Sequence, residues 1–245
     1  LIITFDDGFS SIYHNAIPIL NDYNIPSCIY LISDCVLKKK MMWRNILFYI
    51  QNNYENDLIG NISAAISAEH EINKKTEGQS LLKWSMLSWP MGKREILTNI
   101  FLDELSIDIN QYISHYKPYM QKKELIKILN SGHTLGTHSI SHPNFSKLNY
   151  DECEKEILES KKELENHLKC KIEHFSYPFG IRMKTSYEKK LISNHSNKIK
   201  SMAGIKFKFN EYNNPYEIER DKMEVSRFQS MLRLYAVPIA RRLVD

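Results

Sequence analysis

The stretch LIITFDDGFSSIYHNAIPIL, residues 1–20, decides the fold class. Its first five residues are apolar or β-branched and predict a buried strand. From Ile12 onward, apolar residues recur with a helical period. After Pro26, the segment SCIYLIS (27–33) predicts a second strand. A strand, a helix and a strand within about 33 residues form a βαβ unit, which predicts a parallel sheet with right-handed crossovers.

The pattern changes between about residues 36 and 120, where long helical periods such as MMWRNILFYIQNN and KREILTNIFLDEL replace strand alternation. The βα pattern then resumes, and HTLGTHS, IEHFSYPFG and SMAGIKF predict three further strands. MEVSRFQ (223–229) predicts a late strand and SMLRLYAVPIARRLV a terminal helix interrupted at Pro238. We therefore expect one α/β domain over residues 1–245, with a helical insertion over about residues 36–120.

The composition is that of an ordinary globular protein, because 42% of the 245 residues are hydrophobic and 25% are charged. The net charge of +4 comes from scattered lysines and does not predict nucleic-acid binding. The four cysteines show no CxxC spacing, which favours free thiols, and no apolar run is long enough to span a membrane. Because the sequence begins without Met inside a predicted strand, we expect it to be truncated there. A cytoplasmic and a cell-envelope location both stay open.

Polar residues follow two of the predicted strands. Asp6 and Asp7 alone are typical of a turn or a helix cap, and His138 and His142 alone are typical of a surface. Neighbouring side chains at a strand end point in different directions, so one carboxylate can bind a metal ion while the other acts as a base. Imidazoles with a carboxylate are common ligands of zinc, iron, cobalt and nickel. Together the four residues predict a metal site at the carboxyl edge of the sheet.

Three motifs, TFDDG (4–8), GHTLGTHSISHPNFSKL (132–148) and FSYPFG (175–180), occur in this order. They resemble the motifs of the polysaccharide deacetylases, also called the NodB-homology family or carbohydrate esterase family 4. The resemblance implies a distorted (β/α) barrel of the NodB type, with the largely helical insertion after the second strand. It also implies a hydrolase of carbon–nitrogen bonds other than peptide bonds.

The resemblance assigns roles to the polar residues. It implies that Asp6 is the general base and that Asp7, His138 and His142 hold one divalent metal ion. Zinc is the first choice, and cobalt, nickel, iron and manganese are alternatives. The implied partner is an N-acetylated carbohydrate, and the implied reaction removes the N-acetyl group of an amino sugar in a polysaccharide or its precursor.

The third motif contributes the substrate side of the site. By resemblance, the backbone N–H of Phe179 would stabilise the oxyanion, since Pro178 has no N–H. Tyr177 and Phe179 would line the sugar groove. A plain turn with buried aromatic residues is an equal alternative for this motif.

Two features of the family are missing. No histidine follows His195, so the late Leu-x-His motif that supplies the general acid is absent. The arginine that precedes the third motif is absent as well, and Arg227 or Arg182 is a candidate to replace it. Asp6 could return the proton itself, or an unmatched residue could supply it. A non-catalytic carbohydrate-binding relative and a hydrolase of another carbon–nitrogen amide bond therefore stay open.

Overall fold

The structure is a computed structural model, and it describes residues 2–205 and 214–221. Six parallel strands form one sheet in the order β1-β2-β3-β4-β5-β6. Consecutive strands are neighbours throughout, and the sheet curls into a half-barrel. The strands are β1 (Ile3–Phe5), β2 (Ser27–Leu31), β3 (Thr134–Thr137), β4 (His174–Ser176), β5 (Ser201–Gly204) and β6 (Ile218–Glu219).

Ten α-helices lie in the described ranges and connect or flank these strands. They are α1 (Ile17–Asp22), α2 (Ser33–Leu37), α3 (Trp43–Asn53), α4 (Asn56–Glu69), α5 (Leu81–Ser88), α6 (Arg94–Glu104), α7 (Ile109–Tyr116), α8 (Lys122–Asn130), α9 (Tyr150–Leu168) and α10 (Thr185–His195). A π-helical turn, Ile12–Ala16, leads into α1. Helix α9 begins with a capping box, in which Asn149 and Glu152 each accept a hydrogen bond from the other's backbone N–H.

The segment between β2 and β3 is helical and packs mainly on itself. Helices α3 to α6 share a buried apolar cluster that includes Leu47, Trp84, Leu97 and Phe101. The half-barrel has two clusters of its own, one on β2, α1 and α8 and one on β4, α9 and α10. The helical segment is therefore stabilised chiefly by its own core rather than by the sheet.

Close packing at the centre of the sheet depends on Gly136. A Cβ atom at this position would lie 2.5 Å from the Tyr30 ring and 2.8 Å from the His174 carbonyl oxygen. His133, just before β3, contacts Ser27 and Asn21 through its two ring nitrogens at 2.9 Å each. His133 is therefore a hydrogen-bonded packing residue that joins β3 to β2 and α1.

Five of the predicted strands coincide with β1 to β5, whereas β6 was not predicted. The predicted late strand at 223–229 and the predicted terminal helix lie outside the described residues. All four cysteines are free thiols, as expected. Among the helices that the structure describes, none is long and apolar enough to cross a membrane.

Candidate metal centre and active site

Asp7, His138 and His142 meet at the carboxyl edge of the sheet. Asp7 follows β1, and both histidines lie in the loop after β3. Asp7 Oδ1 lies 3.6 Å from His138 Nε2 and 3.5 Å from His142 Nε2. Oxygen and nitrogen ligands of a tetrahedral zinc ion are about 3.3 Å apart, given bonds of about 2.0 to 2.2 Å. The three ligand atoms all lie within 4.8 Å of one another, so together they could hold a single divalent ion.

The protonation states of the two histidines suit metal binding. His138 Nδ1 lies 2.8 Å from the Ser176 carbonyl oxygen, which only accepts, so Nδ1 carries the proton and Nε2 offers its lone pair. Burial lowers the pKa of His142 well below its usual value, and the charges of His138 and Arg44 lower it further. The Nδ1 contact of His138 leaves its Nε2 for a metal ion, and burial favours the neutral form of His142.

The backbone of the site is strained at several positions. Asp7, Ser139, His142 and Phe179 have positive φ angles of 72°, 73°, 59° and 59°. For residues other than glycine, such conformations cost on the order of 1 kcal/mol or more each. Surrounding hydrogen bonds must therefore hold the metal ligands in place.

Helix α9 supplies many of these hydrogen bonds through Glu156. Its carboxylate accepts from the backbone N–H groups of Ile140 and Ser141 at 2.8 and 3.0 Å, and from the Ser141 hydroxyl at 2.8 Å. Within the loop, the His142 N–H donates to the Ser139 hydroxyl at 3.0 Å. Burial raises the pKa of Glu156, and the donated hydrogen bonds only partly offset this. Glu156 therefore positions the turn between the two histidines.

We expect Glu156→Ala to lower zinc affinity by roughly 10- to 100-fold, the range found for outer hydrogen-bond partners of metal ligands. The reason is that three donors in the histidine loop lose their acceptor. Zinc titration against a competing chelator measures this change. Glu159→Ala, an exposed position on the same helix, is the matched control. Equal affinity of both variants would contradict the positioning role.

Asp6 is held by an arginine from the other end of the sheet. Arg220 donates to both carboxylate oxygens of Asp6, at 2.7 and 2.8 Å, and also to the hydroxyls of Thr4 and Ser176 at 3.1 and 2.6 Å. Asp6 Oδ2 lies 3.8 Å from His138 Nε2, at the side of the metal-ligand cluster. The two neighbouring aspartates therefore have different partners.

The charge state of Asp6 follows from these contacts. Burial would raise the pKa of its carboxyl, but His138 and the Arg220 guanidinium together lower the pKa below its usual value. Asp6 is thus an ionised carboxylate held in a fixed orientation by a bidentate pair. Such a group can accept a proton from a molecule bound beside it.

Arg220 was not among the candidates from the sequence. Arg182 instead pairs with Glu188 and Glu219 at 2.6 and 2.7 Å, away from Asp6. The other candidate, Arg227, lies outside the described residues. The signal that could have found Arg220 is its place directly after β6, because the carboxyl ends of parallel strands meet at one edge.

We expect Arg220→Met to lower the catalytic efficiency kcat/KM by roughly 10- to 100-fold and to leave zinc affinity within about threefold of the wild type. Asp6 loses its orientation, whereas the metal ligands keep their contacts. Arg220→Lys is the matched variant, because lysine restores the charge without the bidentate fork, and we expect it to be intermediate. An equal loss of metal binding and turnover would instead assign Arg220 a general structural role.

The two aromatic residues of the third motif differ in position. Phe179 lies beside the site, with its ring centroid 4.6 Å from that of His142. Tyr177 is fully buried against Phe145 and donates its hydroxyl to Glu188 at 3.0 Å. Contrary to expectation, the Tyr177 side chain therefore lies in the core and not in a sugar groove.

His195 ends α10 and is the last histidine of the sequence. Its Nε2 lies 2.8 Å from a Glu154 carboxylate oxygen, so its ring joins α10 to α9. His195 therefore pairs with Glu154, whereas the histidine beside Asp6 is His138, whose Nε2 lies 3.8 Å from the carboxylate.

Comparison with known proteins agrees with this geometry. The sequence model described as polysaccharide deacetylase matches residues 1–195. The chain belongs to the polysaccharide deacetylase family. As a deacetylase of this family, it is a hydrolase acting on carbon–nitrogen bonds other than peptide bonds, and the family is metal-dependent. No curated protein is similar enough to the chain to count as a match.

Solved structures of deacetylases share its fold. IcaB from Ammonifex degensii is 15% identical, with a TM-score of 0.54, over 95% of this chain and 71% of that one. The deacetylase PplD from Streptococcus pyogenes, in complex with acetate, is 14% identical, with a TM-score of 0.52, over 95% and 68%. A de-N-acetylase from Aggregatibacter actinomycetemcomitans is 12% identical, with a TM-score of 0.50, over 95% and 73%. The NodB-type barrel expected from the motifs is confirmed.

Proposed function

We propose that this deacetylase hydrolyses the N-acetyl group of an amino sugar in a polysaccharide or its precursor. The observation that carries the proposal is that two neighbouring aspartates have different positions and different partners. Asp7 joins His138 and His142 in a cluster that fits a metal ion, while Asp6 stands beside that cluster as an oriented carboxylate. One metal position with an adjacent base is what the hydrolysis of an unactivated amide needs.

Asp7, His138 and His142 would hold one divalent ion, and we propose zinc. Two imidazoles and one carboxylate suit zinc, and they also suit cobalt, nickel, iron or manganese. When bound, the ion supplies a Lewis acid that lowers the pKa of water and polarises an amide carbonyl. Three protein ligands leave further positions of the ion free for these molecules.

The chain's own residues would move the proton. Asp6 accepts a proton from the water that attacks the acetamide carbonyl carbon, and a carbon–oxygen bond forms. The backbone N–H of Phe179 is the proposed donor to the resulting oxyanion. Asp6 then returns the proton to the sugar nitrogen as the carbon–nitrogen bond breaks, which gives acetate and a free amine. We assign both transfers to Asp6 because it is the oriented carboxylate beside the metal-ligand cluster.

Acetate release tests the proposal directly. The substrates are N-acetylglucosamine oligomers and related N-acetylated sugars, with the protein first stripped of metal and then supplied with zinc. We expect acetate release only with the added ion. Full zinc occupancy without acetate from any of these sugars would overturn the proposal.

A non-catalytic carbohydrate-binding role is the second candidate, and the missing late histidine favours it. Such a protein would bind the same sugars and zinc but would release no acetate. The two candidates therefore differ in the wild-type assay, before any residue is replaced.

A further inference from the structure

Two arginines of the helical segment interact with each other, and one of them, Arg44, lies next to the candidate active site. The Arg44 guanidinium, at the start of α3, is 4.8 Å from the centroid of the Phe179 ring, which in turn packs against the metal-ligand candidate His142. The Arg94 guanidinium, at the start of α6, is 4.7 Å from the Trp43 ring. Both arginine side chains are half-buried. Arg44 therefore lies beside the site, and Trp43, the residue before Arg44, holds Arg94 against the start of the same helix.

The two arginines influence each other and the site. Burial lowers the pKa of Arg44, and the negative charge of Asp7 opposes this. Burial also lowers the pKa of Arg94, and the positive charge of Arg44 lowers it further. Two like charges are therefore held close enough together to repel, in surroundings that only partly hydrate them.

Neither arginine forms an ion pair with a carboxylate among residues 2–205 and 214–221, although the charge of Asp7 favours the charged form of Arg44. Their Nε atoms are buried and have no hydrogen-bond partner within those ranges. The other two described arginines differ, because Arg182 pairs with Glu188 and Glu219, and Arg220 pairs with Asp6. Buried charges in proteins are normally paired. Within the part of the chain that the structure describes, Arg44 and Arg94 therefore lack the paired carboxylate that Arg182 and Arg220 have.

The position of Arg44 is fixed relative to the aspartates. The Tyr119 hydroxyl accepts hydrogen bonds from the Met42 N–H at 3.2 Å and from the Asn45 side chain at 3.0 Å, on either side of Arg44. The Tyr119 ring stacks on Phe9, with centroids 5.3 Å apart, directly after the loop that carries Asp6 and Asp7. The start of α3 is therefore attached to the active-site loop, and Arg44 is preorganised beside it.

We propose that Arg44 and Arg94 bind an oxyanion of the acetylated substrate, a phosphate or a carboxylate on the sugar that is deacetylated. Guanidinium groups bind both anions through paired N–H donors, and two of them match a doubly charged phosphate. The inference rests on the proposed deacetylase function and names its substrate class. It assigns the helical segment a role in selecting anionic sugars over neutral ones.

Three matched monosaccharides test the inference. They are the neutral methyl glycoside of N-acetylglucosamine, N-acetylglucosamine 1-phosphate and N-acetylmuramic acid, which carries a carboxylate. We expect the zinc-loaded enzyme to prefer at least one charged compound over the neutral one in kcat/KM by roughly 10- to 100-fold. The compound with the larger preference identifies the anion as phosphate or carboxylate.

Arg44→Gln and Arg94→Gln should each reduce this preference toward unity. Lys93→Gln, an exposed position next to Arg94, should keep the wild-type preference. Equal turnover of the neutral and charged compounds by the wild type would overturn the inference. So would an unchanged preference in both arginine variants.

Binding measurements distinguish a failure of this inference from a failure of the proposed function. If none of the three compounds releases acetate, the deacetylase proposal for these sugars fails, and calorimetric titration of the same compounds still decides the inference. Tighter binding of a charged compound that is lost in Arg44→Gln supports the anion site. Equal affinity for the neutral and charged compounds overturns it.

Discussion

Replacement of Asp6 with asparagine is expected to lower kcat for acetate release by roughly 10²- to 10⁴-fold, the usual contribution of a general base. Asparagine keeps the shape of aspartate but does not accept a proton at neutral pH. It also cannot accept from Arg220 with both of its terminal atoms, since one of them is an NH₂ donor. Steady-state rates on N-acetylglucosamine oligomers, with zinc occupancy measured on the same samples, give the result.

Zinc affinity is the internal control for this variant. Asp7, His138 and His142 are untouched, so we expect Asp6→Asn to bind zinc within about threefold of the wild type. Asp57→Asn, an exposed position on α4, should change neither rate nor affinity. If Asp6→Asn kept the wild-type rate, another group would have to be the base, and the proposed division between the aspartates would be wrong.

His142→Ala is expected to lower zinc affinity by more than about 100-fold, beyond the range of outer hydrogen-bond partners, and to abolish acetate release. His142 Nε2 lies 3.5 Å from Asp7 Oδ1 and is one of only three ligands in the cluster. Its Nδ1 has no hydrogen-bond partner in the described ranges. Removal of the ring therefore deletes a metal ligand and breaks no other side-chain hydrogen bond there.

Thermal unfolding separates metal loss from misfolding. A ligand that binds only the folded state raises the melting temperature, so zinc should raise that of the wild type. It should not raise that of His142→Ala, whose metal-free melting curve should still show one cooperative transition. His115→Ala, an exposed position on α7, should respond to zinc like the wild type. A full zinc response in His142→Ala would exclude His142 as a ligand.

The parallel sheet could be predicted because its long strands carry their own signal. Strands buried on both faces form continuous apolar runs, as LIITF and SCIYLIS do. The signal fails for β6, which has only two residues, Ile218 and Glu219. A strand of two residues is too short to show an alternation of apolar and polar side chains. It forms by pairing with β5, which the local sequence does not reveal.

The metal ligands could be predicted because they follow strands whose ends meet at one edge. Tyr177 shows where that reasoning was incomplete. The Ser176 hydroxyl accepts a hydrogen bond from Arg220 on the site side of the sheet, and side chains alternate along a strand. Phe175 and Tyr177 therefore point to the opposite side, where both pack against Phe145. The alternation was visible in the sequence, but the facing direction of Ser176 was not.

Arg44 illustrates a different limit. Its neighbours along the helix do not mark it as a site residue, since half-buried arginines are common on helices. Its position depends on Tyr119, 75 residues later, and on the contact of Tyr119 with the loop after Phe5. Contacts of this kind are set by tertiary packing, which a single sequence does not display.

The pairing of Asp6 with Arg220 has a consequence for the order in which the enzyme is assembled. These residues are 214 positions apart, whereas all three metal ligands precede residue 143. Contacts between distant parts of a chain form late, because the intervening segment must be ordered first. A nascent chain can therefore acquire its metal-binding cluster well before its base is oriented. Turnover therefore depends on the docking of β6, and a substitution that loosens β6 should abolish acetate release while zinc stays bound.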